Sequence, residues 1–277
     1  MNVRYLHTYR GITFLILAWV LAMTQNSLAA DEPPAVESGP LRFHVVFNNL
    51  PYRVGLQTAW GFACLIEGLD QTVLFDTGGA GEILLSNMQR LGLKPESVDA
   101  VVLSHIHADH TGGLDAFLAR NPKVTVYVPT SFPASFRNEV KRFGAALQTV
   151  SGPRRLVQGV YSTGEMGGAI KEQALIVETR KGLVVITGCA HPNVADMAEQ
   201  AHAYLGKKIH LLMGGFHLGG SSEAEIEAII HRLKALGVEK VAPSHCTGEK
   251  AIGMFRDAWA TDFIEGGLGA QIELPRN

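Results

Sequence analysis

The chain has 277 residues, 47% of them hydrophobic and 18% charged, with a formal net charge of −2 and a pI of about 6.6. That is enough apolar material to bury the core of one large α/β domain. A near-neutral balance with no basic tract and no interleaved aromatic and basic residues disfavours a nucleic-acid partner.

The N-terminus reads as a targeting segment. Arg4 and Arg10 precede an apolar run, Gly11 to Met23, that is short for a membrane span. Ser27-Leu28-Ala29 then supplies small residues where a signal peptidase cuts. The expectation is a secretory signal peptide over 1–29, a Pro-rich, acidic leader over 30–40 and a folded domain over 41–277. The product would be exported, periplasmic or secreted, with no stable span after cleavage. An uncleaved N-terminal anchor is the competing reading. Three cysteines, Cys64, Cys189 and Cys246, give no disulfide framework. Cys64 lies in an apolar strand-like run and reads as a small core residue.

The first half is strand-rich. Leu41 to Leu50, Trp60 to Glu67, Thr72 to Phe75 and Val98 to Ser104 read as strands, with a helix before the last of these carrying Leu84, Met88 and Leu91 and stopping at Gly92. A short helix over 114–118, a strand over 124–128 and a helix-like stretch over 133–143 follow. Ala145 to Val150 and Val157 to Tyr161 read as two short strands around Gly152-Pro153. Ala174 to Glu178 and Leu183 to Thr187 form a hairpin. The second half alternates: helix (193–205), strand (209–213), a helix capped by Ser221 or Ser222 with Glu225 placed for a capping box, strand (238–242), helix (through Ile252, Phe255 and Trp259) and strand (270–274). Its stripe of Ile226, Ile229, Ile230, Leu233 and Leu236 reads as core. Sheets in both halves with helices to cover them suggest an αββα sandwich.

Chemistry gathers where strands end. Ser104-His105-Ile106-His107-Ala108-Asp109-His110 packs three histidines and an aspartate into six positions, directly after a buried β-branched run. Imidazole and carboxylate are the donors that hold zinc and its neighbours in the first transition row. Asp76-Thr77-Gly78, Thr187-Gly188-Cys189-Ala190-His191-Pro192, Gly214-Gly215-Phe216-His217 and Pro243-Ser244-His245-Cys246 end other strands in the same way.

His105-x-His107-x-Asp109-His110 resembles the signature of the metallo-β-lactamase superfamily, and Asp76 and His245 match its strand-end aspartate and last histidine. Thr187 to Pro192, Gly214 to Leu218 and His245 to Gly248 resemble more particularly the dihydropterin ribofuranosylaminobenzene phosphate synthase-like subgroup. The resemblance implies a four-layer αββα sandwich with a metal site at one edge. It implies that His105, His107 and a third histidine hold one ion and that Asp109, His110 and a last histidine hold a second, with His191 and His245 as the further ligands. Asp109 would also orient the attacking hydroxide, or act as base if only one metal is bound. The ion would be zinc, one or two per chain, with iron or manganese as alternatives.

The resemblance departs from the family at one point. The aspartate that usually bridges two metals is missing, and Cys189 stands in its neighbourhood. Either His191 is the third histidine, or Cys189 takes the bridging place as a thiolate, or both hold. His217 could face the metals or pack beneath them. Asp76 reads as a support for a ligand histidine or the backbone. Cys246 reads as a pocket wall, Glu172 as a solvated carboxylate, and His44, His202, His210 and His231 as structural or surface residues.

The function implied is an exported metal-dependent hydrolase, using metal-bound hydroxide on an ester, lactone, amide or phosphodiester of a small-molecule substrate. The alternatives are a non-hydrolytic iron or redox protein and a catalytically inactive binding protein. A pterin synthase role fits an exported chain poorly. Pro51 to Trp60 and Phe132 to Gly168 are the candidate specificity loops. Oligomeric state is not legible in the sequence.

Overall fold

Two sheets arise from short apolar runs, buried on both faces, whose successive side chains enter opposite layers. A computed structural model describes residues 39–276; the expected signal peptide and all but the end of the leader lie outside the described residues. In chain order the strands are β1 (Leu41–Asn48), β2 (Phe62–Glu67), β3 (Val73–Phe75), β4 (Ala100–Val102), β5 (Thr125–Pro129), β6 (Ala146–Val150), β7 (Arg154–Val157), β8 (Val160–Ser162), β9 (Leu175–Thr179), β10 (Gly182–Thr187), β11 (Ile209–Gly215), β12 (Lys240–Ser244) and β13 (Gln271–Leu274). The helices are α1 (Gly81–Arg90), α2 (Ala108–Thr111), α3 (Leu114–Arg120), α4 (Ala134–Arg142), α5 (Val194–Leu205), α6 (Glu223–Ala235) and α7 (Glu249–Trp259).

One sheet has the order β13-β1-β2-β3-β4-β5-β6 and the other β12-β11-β10-β9-β8-β7. Alternate residues of each strand face opposite layers. In β2, Phe62, Cys64 and Ile66 enter the core between the sheets, whereas Ala63 and Leu65 pack under α1 and α3 with Leu84 and Phe117. In β10, Val184 and Ile186 enter the inter-sheet core, and Leu183 and Val185 meet α5, α6 and α7. Three apolar layers separate four structural layers, so the chain is an αββα sandwich. Cys64 is fully buried in the middle layer, where desolvation pushes its thiol up. No helix among the described residues is long and apolar enough to cross a membrane.

Two local expectations differ from the structure. Gly152-Pro153 does not join two neighbouring strands: β6 closes the first sheet, and β7, unanticipated because Arg154 and Arg155 are exposed, opens the second. The 98–104 strand is regular only over Ala100–Val102. The helix-like stretch and the strands read within 132–168 are present as α4, β6 and β8. Ser222, not Ser221, caps α6 in a full capping box with Glu225. The 226–236 stripe is core, with Ile226, Ile229 and Leu233 buried.

Phe43 is fully buried between the sheets, far along β1 from the polar edge. Phe43→Ala should destabilise the domain by about 3–5 kcal/mol, read as a lowered urea midpoint with an unchanged slope.

Candidate metal centre

Strands β3 and β4 run parallel, as do β10, β11 and β12. Their C-terminal ends therefore open on one edge, the place where α/β sheets bind ligands. Asp76 follows β3, Ser104 to His110 follow β4, Cys189 and His191 follow β10, His217 follows β11, and His245 and Cys246 follow β12. Asp76, Ala190, His217 and His245 all take positive φ, between 52° and 60°. Such backbone costs on the order of 1–3 kcal/mol per residue and persists where the surroundings over-determine it.

The structure brings the ligand-type residues into three groups. The donor atoms of His105, His107 and His191 lie within 4.8 Å of one another, as do those of Asp109, His110, Cys189 and His245. Cys189 also belongs to a third group with His217 and Cys246. Of the alternatives left open above, the geometry places both residues at the edge: His191 with the first pair of histidines, Cys189 with the second set. His217 is exposed, and its ring lies 4.3 Å from that of His191, so it borders the centre rather than packing beneath it. Cys246 lies beside Cys189, with its Sγ 3.7 Å from the Cys189 carbonyl oxygen.

Supporting residues fix these groups. The carboxylate of Asp76 accepts from the Ser104 amide at 2.7 Å and the Ser104 hydroxyl at 2.7 Å, and lies 2.7 Å from His110 Nδ1. Ser104 Oγ is also 2.9 Å from His105 Nδ1. Asn49 Oδ1 lies 2.8 Å from His245 Nδ1, and the Trp60 ring covers the His245 ring at 4.8 Å. Gly188 has no room for a side chain: a Cβ there would sit 2.1 Å from Ser104 Oγ and 2.9 Å from Asp76 Oδ2.

The solvated reading of Glu172 is wrong. Its side chain is fully buried, and its carboxylate accepts the amides of Gly188, Cys189 and Ala190 on Oε1 and of His191 on Oε2, at 2.9–3.1 Å. Oε2 also lies 3.8 Å from His105 Nδ1. Burial pushes its pKa up to about 6 against the pull of these amides. Nothing near Glu172 in the sequence signals this role, because its partners lie 16–19 residues away. Asn49 and Ser104 were likewise missed, although Ser104 directly precedes the motif. His44, His202 and His210 lie elsewhere, the first and last beside Glu67 and Glu239.

The donor set suits a divalent cation. Burial, then the neighbouring imidazoles of His110, His191 and His107, hold His105 far below the usual histidine range. Burial, then His217 and His107, hold His191 down at about 4. Neutral imidazole is the form that binds metal. Burial opposes ionisation of Asp109, but His110 and His245 outweigh it and hold that carboxyl far below its usual value. Against its burial, Asp76 and Asp109 raise His110 to about 10. The Nε2 atoms of His191 and His245 are buried without a hydrogen-bond partner. His245 Nε2 stands 3.2 Å from Asp109 Oδ2, a contact without hydrogen-bond alignment. Buried orphan nitrogens, one in each donor group, are costly unless an ion satisfies them.

The family profile of the metallo-β-lactamase superfamily matches residues 61–196. The chain is 31% identical over 252 residues to the 7,8-dihydropterin-6-methyl-4-(β-D-ribofuranosyl)-aminobenzene-5′-phosphate synthase of Methanocaldococcus jannaschii, spanning 73% of this chain and 86% of that protein. It belongs to the metallo-β-lactamase superfamily. A crystal structure of a metal-dependent hydrolase of the β-lactamase superfamily superposes with a TM-score of 0.74 at 28% identity, covering 85% of this chain and 99% of the other. An N-acyl homoserine lactonase from Bacillus cereus is 29% identical over 109 residues, 38% of this chain and 43% of that protein. The superfamily's enzymes share the sandwich found here, and the His/Asp/Cys cluster at its edge is a donor set for divalent metal.

Glu172→Gln should weaken metal affinity by about 10–100-fold and expose the amides of residues 188–191 to hydrogen exchange. A chelator competition and an exchange experiment on the same protein check both parts.

Proposed function

We propose that this protein is an exported zinc-dependent hydrolase acting on an ester, lactone, amide or phosphodiester of a small molecule. The carrying observation is the convergence of His105, His107 and His191 with Asp109, His110, Cys189 and His245 at one sheet edge. In this reading the three histidines hold one ion and the four-residue group holds a second. Zinc held there would polarise the scissile bond and lower the pKa of a water molecule.

The remaining chemistry belongs to the chain. Asp109 lies 3.5 Å from His110 Nε2 and 3.2 Å from His245 Nε2, with its side chain a fifth exposed. It is therefore placed to orient a nucleophilic water. A cleft of about 490 Å³ runs from His191 and His217 over Phe216 and Leu218 toward Arg232. Its volume suits a small molecule. His217, exposed at its mouth, is placed to give a proton to the departing oxygen or nitrogen. On the other side, Trp60 is 58% exposed while its ring packs on His245, and Tyr52 and Val54 of the same segment are exposed. That segment can cover the apolar part of a substrate and exclude water from the reacting bond.

The 31% identity to the Methanocaldococcus jannaschii synthase favours a second reading, a synthase reaction on a pterin or ribofuranosyl phosphate at the same centre. Turnover of that substrate class with none on esters, lactones, amides or phosphodiesters would select it. A bond-cleavage screen with the zinc-loaded protein tests the first reading. Chelation should abolish its turnover and zinc should restore it. His107→Ala should cost more than about a hundredfold, beyond the loss typical of a supporting residue. An activity unaltered by chelation and by His107→Ala would overturn the proposal. For export, N-terminal sequencing of the protein from the producing cell should begin at Ala30; a protein beginning at Met1 would remove this part of the reading.

A further inference from the structure

Cys189, which the hydrolytic reading gives to the second ion, pairs with Cys246, which that reading leaves unused. Their Sγ atoms lie within 4.8 Å of each other. They come from the ends of β10 and β12, with the end of β11 between them. At that point β11 carries Gly215, where a Cβ would stand 2.8 Å from Cys246 Sγ and 3.3 Å from the Cys189 Cα. A side chain at 215 would crowd Cys246 Sγ and the Cys189 backbone, so glycine there lets the two thiols lie close. Cys246 is partly exposed, whereas Cys189 is buried. The third cysteine, Cys64, lies in the core between the sheets.

We propose that Cys189 and Cys246 are a redox modification site, and that their oxidation to an intramolecular disulfide withdraws Cys189 from the group it shares with Asp109, His110 and His245. The oxidant is a small-molecule disulfide such as glutathione disulfide. The Cys246 thiolate, the accessible one, attacks one sulfur of that disulfide. The small disulfide bond breaks, one small thiolate leaves, and a mixed disulfide remains on Cys246. Cys189 then loses its proton and attacks Cys246 Sγ, the mixed disulfide breaks, and the second small thiolate leaves. Two protein thiols are oxidised to one disulfide and the small disulfide is reduced to two thiols, which carry the two protons away. Closing the bond brings the sulfurs to about 2.05 Å, so Cys189 Sγ leaves His110 Nε2, now 3.1 Å away.

The consequence for metal rests on the metal centre proposed above; the cross-link does not. Oxidation reduces the second group to two imidazoles and a carboxylate. It thereby removes the soft donor that favours zinc over harder ions. Export, where proposed, would carry the pair into a compartment in which disulfides persist.

The test equilibrates the purified protein, zinc-loaded and metal-free, in glutathione buffers from reducing to oxidising. Free thiols are trapped, and non-reduced peptides are mapped by mass spectrometry alongside metal content. The expected result is a peptide cross-linked through Cys189 and Cys246, formed more readily without metal and reversed by dithiothreitol, with loss of one zinc equivalent from the loaded protein. Cys246→Ser should give no cross-link and keep its zinc under the same oxidant. A glutathione adduct on Cys246 with no cross-link in either form overturns the proposal. So does a cross-link that leaves zinc content unchanged. Were the reduced protein to bind no zinc at all, the metal-centre reading would fail while the peptide map still decided the disulfide.

Discussion

A carboxylate sealed from water organises the functional edge. Burying the Glu172 charge costs several kcal/mol, and the four amides that point at it offset that cost at about 1.5–3 kcal/mol each. All four belong to consecutive residues, Gly188 to His191. Four successive amides can converge on one carboxylate only if the chain curls around it. That curl explains why Ala190 sits at φ 60° and why Cys189 and His191 leave β10 toward different donor groups. A shorter or neutral side chain at 172 would leave the loop with orphaned donors. Glu172 thus sets where two candidate ligands stand without itself belonging to either group.

Asp76 does the equivalent work on the other sheet. Its carboxylate ties the end of β3 to Ser104 at the end of β4, and through His110 to the first turn beyond it. Gly188 lets the two systems touch, because only a residue without Cβ lets the second sheet's loop pass over Ser104 and Asp76. The edge that carries the candidate ligands is therefore a seam between two sheets, each holding its half with a buried carboxylate. Candidate ligand histidines whose opposite nitrogen is fixed by such partners hold their orientation without an ion. His110 and His245 both show this, through Asp76 and Asn49.

Much of this was legible because the sequence pattern follows the burial of each element. Short continuous apolar runs mark β2 and β10, which are buried on both faces, and three-to-four-residue spacing marks α5 and α6. The His105–His110 cluster is legible because a tight turn after one strand must supply its donors from neighbouring positions. Its helical turn, Ala108–Thr111, is too short to carry a periodic signal. Glu172 and Asn49 were hidden for a different reason. Their roles exist only through contacts 16–196 residues away, and neither sits beside a glycine-bounded strand end. The crossing from β6 to β7 was hidden too, since exposed arginines on an edge strand look like loop.

The presence of Cys189 in the neighbourhood where the resemblance leads one to expect an aspartate gains meaning from where its own neighbours stand. A carboxylate bridging two ions would have one function, charge neutralisation by hard oxygen. A thiol in that neighbourhood is softer, shifts preference toward zinc, and can change state without any change in pH. It can do so here because Gly215 lets Cys246 lie close to it, and because Gly188 and Glu172 hold Cys189 where both His110 and Cys246 are within reach. An aspartate at that point would fix the donor set permanently. A cysteine with a second thiol beside it makes the donor set conditional on the redox state of the surroundings.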